Sequence, residues 1–133
     1  MFVGERMSRP VISVAPETPV HDALAMFKKE HIRRAPVIKD GKLLGIVTEN
    51  DLRNASPSPA TTLSVWEMNY LISKVTVKDV MTKSPMTIKS DRLAAEAFEI
   101  LRSRRIDELP VVDDKKRPIG LLDVQDLLKA GLV

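Results

Sequence analysis

Few residues of this chain have the type and spacing to do chemistry. The most pointed set is Thr48-Glu49-Asn50-Asp51, which closes the apolar run Leu43 to Val47 and is accompanied upstream by the basic pair Arg33-Arg34. A hydroxyl that opens a helix lies beside unpaired N–H groups and the positive end of the dipole, a setting that suits phosphate. A carboxylate three residues on accepts from two adjacent hydroxyls, and an arginine grips an oxyanion in two places at once. This is the chemistry of holding a ligand. Bond-breaking chemistry is poorly supplied: the chain has no cysteine, no Ser/His/Asp spacing, no Walker loop, and no base that can be set beside a nucleophile. His21 and His31, too few and too far apart for a metal site, read as exposed helix residues.

The elements that position these residues come in duplicate. The chain aligns with itself at a shift of 74 residues, which becomes 75 after one insertion in a turn. Met7 falls on Met81, Val14 on Ile88, Ala23 on Ala97, and Pro36-Val37-Ile38 on Pro110-Val111-Val112; past the insertion, Gly45-Ile46-Val47 falls on Gly120-Leu121-Leu122 and Asp51-Leu52 on Asp126-Leu127. In each copy a short strand (Val11 to Val14, Met86 to Ile88) leads to an amphipathic helix. Val20, Ala23, Leu24 and Phe27, and again Ala94, Ala97, Phe98 and Leu101, keep the spacing of one buried helical stripe. A hairpin follows (Ala35 to Ile38 with Leu43 to Thr48; Leu109 to Val112 with Pro118 to Leu122), then a last helix from Glu49 or Val124. The reading is an α/β (α+β) fold of two tandem βαββα repeats, residues 1–55 and 75–133. About 50 residues with three short strands bury too little to stand alone, so the copies are expected to pack together. Between them, residues 56–74 hold the stiff Ser56-Pro57-Ser58-Pro59 and a connector helix capped from Thr61-Thr62-Leu63-Ser64 with Glu67, running to about Ile72. Leu63, Trp66, Met68 and Tyr70 on it cover the core or offer a partner groove.

Composition bounds the function classes. Across 133 residues, 44% are apolar and 29% charged, as in an ordinary globular protein. No apolar run approaches membrane-spanning length, and Met1 to Val14 lacks the pattern of a signal peptide, so the expected setting is cytoplasmic. The net charge of +3, from 21 basic and 18 acidic residues, and an aromatic content of 4% argue against a nucleic-acid binder.

The run Ile32-x2-Ala35-Pro36-Val37-Ile38-x2-Gly41-x2-Leu44-Gly45-Ile46-Val47-Thr48-x2-Asp51-Leu52 resembles the signature of the cystathionine-β-synthase (CBS) domain, and Ile106 to Leu127 resembles a second. The first copy and linker, with Ser56-Pro57-Ser58 and Trp66 to Leu71, are similar to stand-alone acetoin-utilisation proteins. The second, with Gly120 to Leu128, is similar to the tail of arabinose-5-phosphate isomerases. The resemblance implies a Bateman module: a pseudo-twofold CBS pair that binds AMP, ADP, ATP or S-adenosylmethionine between the copies, dimerises, and regulates a partner without catalysis. It implies no resident cofactor and no metal. The rival classes are an enzyme and an adaptor for protein or nucleic acid.

Carried onto this sequence, the resemblance gives one site made of Arg33, Arg34, Ile46, Thr48, Asn50 and Asp51, with Asp51 on the ribose and Thr48 and the arginines on phosphate. A second site takes Thr18, Ala23 and Ile32 with Asp123, Gln125 and Asp126. Here Asp123 replaces the hydroxyl and Asp107-Glu108 replace the arginines. Three carboxylates repel phosphate by roughly 1 kcal/mol or more each. The second site is therefore expected to be empty, to take an uncharged or cationic adenosine compound, or to borrow Arg104 or Arg105. Plainer readings stand beside these: Asp51 and Asp126 as helix N-terminal acids, Arg33 and Arg34 as surface charge, Gly45 and Gly120 as turn residues or points of close ligand approach, and the methionines as core filler.

Overall fold

The computed structural model describes residues 1–8, 12–55, 64, 66–67, 74–129 and 131. Helix α1 spans Val20–Glu30 and buries Val20, Ala23 and Phe27, the stripe expected from the spacing. It stops at His31, whose left-handed backbone (φ 55°) turns the chain, and Ile32 N–H bonds back to the Phe27 carbonyl at 3.0 Å. Its counterpart, α4 (Ala94–Arg104), stops in the same way at Arg105, φ 53°, with Ile106 N–H on the Leu101 carbonyl at 3.0 Å.

Strands β1 (Arg34–Lys39) and β2 (Lys42–Thr48) form the first hairpin, and α2 (Glu49–Asn54) follows. Asp40 and Gly41, both at positive φ, make the two-residue turn whose twist matches the strands. After α3 (Val77–Val80) come β3 (Thr82–Lys83) and β4 (Ile88–Lys89). Strands β5 (Glu108–Val112) and β6 (Pro118–Asp123) form the second hairpin, closed by α5 (Val124–Lys129). The first strand of each copy is shorter than expected. Val14 makes a single parallel bridge to Val37, Val11 lies outside the described residues, and β4 pairs only Ile88 and Lys89 with Val111 and Val112. In the first copy Pro16 and Pro19, which lack N–H groups, follow at once.

The strand completing each sheet comes from the other repeat. Beyond the linker, β3 pairs antiparallel with β2, Gly45 opposite Lys83 and Ile46 opposite Thr82. Seventy-four residues earlier, Ser8 makes the equivalent bridge to Leu121 on β6, with Ser8 N–H on the Leu121 carbonyl at 2.7 Å. Val77 lies wholly inside the core built on α1, β1 and β2; its equivalent Val3 lies wholly inside the core built on α4, β5 and β6. The compact units are consequently Ile12–Asp40 with Leu44–Lys83, and Met1–Val11 with Gly41–Leu43 and Ser84–Val133. Spatial unit and sequence repeat do not coincide.

The cores repeat position by position: Val14, Val20, Phe27, Val37, Val47 and Leu52 in one, Ile88, Ala94, Leu101, Val111, Leu122 and Leu127 in the other. Met7 is buried and Met81 and Met26 pack on the core, as filler should, while Met1 and Met86 are exposed. Most of the connector helix, with Leu63, Met68 and Tyr70, lies outside the described residues. Within it, Ser64 Oγ accepts from Glu67 N–H and donates to Glu67 Oε1, both at 3.1 Å, the expected cap. Trp66 is 86% exposed and does not cover a core. Among the described residues no helix is long and apolar enough to cross a membrane.

Candidate functional site

Thr48 ends β2 in an extended conformation and caps α2. Its Oγ1 accepts from Asp51 N–H at 3.1 Å, and Asp51 Oδ2 accepts from Thr48 N–H at 2.9 Å. This reciprocal box satisfies two donors that the helix leaves unpaired. Next to it, Glu49 N–H donates to the Arg33 carbonyl at 2.7 Å and ties the entry to β1 against the start of α2. The sequence-distant pair Arg33-Arg34 is thereby fixed beside Thr48 and Asp51. Arg33 is exposed, and Arg34, Thr48 and Asp51 are partly buried. Asn50 projects from the first turn of α2 and is exposed; Ile46, half-buried, lies two residues before Thr48 on β2. Glu49, the one unwanted carboxylate, pairs with Arg53 at 2.8 Å. Six expected residues thus lie at one end of one unit. Sequence reasoning missed Thr82 and Lys83, which β3 sets opposite Ile46 and Gly45. Only the equivalence of Met7 with Met81 hints that this segment has a fixed place.

The other unit repeats the geometry with opposite charge. Val124 N–H donates to the Asp107 carbonyl at 3.2 Å. Asp123 Oδ1 accepts from Asp126 N–H at 2.8 Å, and Asp126 Oδ2 from Asp123 N–H at 3.0 Å. Burial pushes the Asp126 carboxyl above its ordinary value and the facing Asp123 carboxylate adds to the rise, against the lowering by the Asp123 N–H. Asp107 and Glu108 take the places of the arginines, Gln125 is exposed, and Arg104 and Arg105 are exposed at the end of α4.

The residues expected to complete the second site from the first copy belong to the other compact unit. Thr18 is half-buried, with its carbonyl accepting from Val77 N–H at 2.9 Å. Ile32 packs on the core of its own unit. Ala23 is a correction: it is wholly buried, because it lies midway between Val20 and Phe27 on the inward stripe of α1, and it offers a ligand no surface. Gly45 and Gly120 are a second correction: both lie inside strands without a left-handed φ, so no turn requires them. A Cβ on Gly45 would meet the Thr82 carbonyl oxygen at 2.5 Å and Met81 Sδ at 2.8 Å; one on Gly120 would meet Met7 Sδ at 2.5 Å. Both glycines make room for the segment that arrives from the other repeat. Among the described residues no group of three or more His, Asp or Glu could hold a metal ion.

Two sheets carrying the same helices, each completed by its partner repeat's leading segment, define a tandem duplicated α/β module. The CBS domain model matches residues 3–58 and 77–133, and the chain belongs to that family as a CBS pair. It is 35% identical over 120 residues to the inosine-5'-monophosphate dehydrogenase of Thermoplasma acidophilum, covering 90% of this chain and 21% of that protein. It is 33% identical over 134 residues to the arabinose 5-phosphate isomerase of Pseudomonas aeruginosa, covering 100% of this chain and 37% of that one. The chain thus spans about a fifth and just over a third of these relatives. Among solved structures, the complex of CBSX2 with AMP, a CBS-pair protein of Arabidopsis thaliana, superposes with a TM-score of 0.80 at 31% identity, covering 98% of this chain and 96% of that chain.

Proposed function

We propose that this CBS pair is a non-catalytic regulatory module that binds an adenine nucleotide, AMP foremost, at Arg33, Arg34, Thr48 and Asp51. The observation that carries this reading is the Glu49–Arg33 backbone bond, which holds a basic pair against a capped helix start. Arg33 and Arg34 take the phosphate, aided by the Thr48 hydroxyl and the α2 N-terminus. Asp51 spends Oδ2 on the cap and offers Oδ1 to the ribose hydroxyls. Ile46 supplies an apolar flank and Asn50 a polar one. The AMP complex of CBSX2 supports the ligand class.

At Asp123 and Asp126 the same ligand meets carboxylates where the first site has a hydroxyl and two arginines, so occupancy is asymmetric. The reading extends to a homodimer acting in the cytoplasm on a protein partner. Control follows from linkage: the nucleotide shifts a conformational equilibrium by its difference in affinity for the two states, and by no more. A thermal-shift panel of AMP, ADP, ATP, adenosine, S-adenosylmethionine and NADH tests the ligand class, since a ligand of the native state raises the melting temperature by mass action. AMP raising Tm in wild type but not in Asp51→Asn supports the reading; no shift with any compound overturns it.

A further inference from the structure

The unit built on α4, β5 and β6 carries a hollow of about 600 Å³ at the end of its sheet away from Asp123 and Asp126. Strand β5 runs from Glu108, opposite Asp123, to Val112, opposite Pro118, and Val112 lines the hollow. Four residue steps, about 13 Å of strand, separate the two places. The floor is apolar, from Ile88 on β4, Ile100 on α4 and Val112; the rim carries Lys89, Arg92 and Lys116.

These three cations are where the second repeat departs from the first. Lys89 and Arg92 stand where the first repeat has Ala15 and Thr18, while the apolar positions remain apolar (Val14, Met26, Ile38) and the rim acids Asp91 and Glu96 remain acidic (Glu17, Asp22). Lys116 lies in the turn that is one residue longer than its counterpart. The first repeat keeps a single cation at this place, Lys39, paired with Glu17, and Asp113 stands at the position of Lys39 in the second; three independent changes, one of them an insertion, bring new positive charge to a single hollow there. Lys116 is also held: Asp113 accepts from Lys115 N–H and Arg117 N–H, both at 2.9 Å, and from Arg117 Nε at 2.8 Å, fixing a turn in which Lys116 has a left-handed φ of 62°. Lys89 and Arg92 pair only loosely, with Asp114 at 3.3 Å and Glu96 at 3.4 Å, in exposed contacts that an incoming anion can replace.

We propose that this hollow is a second ligand site, separate from the nucleotide site, for a small oxyanion with an apolar body: a phosphate monoester or a carboxylate. The volume falls within the range of small-molecule pockets. The apolar floor takes the body and the cationic rim the anionic head. Amide NMR titrations of the full chain with phenyl phosphate, benzoate and the uncharged benzyl alcohol test it. Phenyl phosphate or benzoate should saturably move the amides of residues 87–92 and 112–117, whichever binds tighter naming the head group, and benzyl alcohol should not. Lys89→Ala with Arg92→Thr, which restores the first repeat's residues on the surface, should weaken the saturating probe by about tenfold with the rest of the spectrum in place. Absence of saturation by both anions, equal shifts with benzyl alcohol, or undiminished affinity in the double variant would each overturn the proposal.

Discussion

Gly45→Ala should destabilise the protein substantially more than Gly120→Ala, although the two glycines are equivalent by repeat. At Gly45 the nearest obstacle to a Cβ is backbone, the Thr82 carbonyl oxygen at 2.5 Å. An ordinary C···O approach is about 3.3 Å, so β3 must retreat by roughly 0.8 Å. That strand holds only the pairs Gly45–Lys83 and Ile46–Thr82, so a retreat of this size breaks the edge of the sheet next to the proposed nucleotide site. At Gly120 the nearest atoms are the Met7 Sδ at 2.5 Å and Cγ at 2.9 Å, the far end of an adaptable side chain, with the Ser8 carbonyl oxygen at 3.1 Å. Overpacking with strand loss puts Gly45→Ala at about 2–4 kcal/mol and Gly120→Ala at about 1–2 kcal/mol. Urea unfolding of both variants, repeated on Met81→Ala and Met7→Ala backgrounds, reads the difference as coupling energies. Met7→Ala should relieve most of the Gly120→Ala penalty, and Met81→Ala little of the Gly45→Ala penalty. Equal costs, or full rescue of Gly45→Ala by Met81→Ala, would refute the assignment of the clash to the β3 backbone.

Val3→Ala should cost about 1–3 kcal/mol in urea unfolding despite its place near the start of the chain, because Val3 is wholly buried in the core around Leu109 and Leu122; a cost near zero would deny the exchange of leading segments. Thr48→Ala removes the acceptor for Asp51 N–H and should cost about 1 kcal/mol, measured in the same way. For Asp126, burial and the Asp123 carboxylate raise the carboxyl above its ordinary value, so the folded state holds this proton more tightly than the unfolded chain. The stability it contributes is complete below the unfolded pKa of about 3.9 and is lost as pH rises through the folded value. Asp126→Asn keeps a side-chain acceptor without the charge, so its urea midpoint should gain on wild type as pH climbs from acid to neutral; a flat or reversed difference would contradict the sign.

The helices and hairpins were legible because their cause is periodic. The stripe Val20–Ala23–Phe27 dictates α1, and Asp40-Gly41 supplies the positive φ values of a tight turn. The grouping of Arg33-Arg34 with Thr48 and Asp51 was legible because a hairpin returns the chain to its starting end, where Glu49 N–H finds the Arg33 carbonyl. The exchange of leading segments was not legible. A two-residue strand and a single bridge at Ser8 have no period to read, and their cause, the missing side chains of Gly45 and Gly120, lies in what the sequence omits. Ala23 shows the converse error: the periodicity that correctly placed it in α1 also buries it, and a ligand role could not survive that burial. For Trp66 the sequence left core cover and a partner groove both open, because an apolar side chain on a capped turn says nothing of which way the turn faces; its exposure removes the first.

Isothermal titration of the full chain with AMP decides whether Arg33, Thr48 and Asp51 hold a nucleotide. One saturable site per chain is expected, weakened at least about tenfold by Arg33→Glu and by Asp51→Asn and left in place by Asp126→Asn. Two equal sites per chain, or an affinity indifferent to Arg33 and Asp51 but dependent on Asp126, would contradict it.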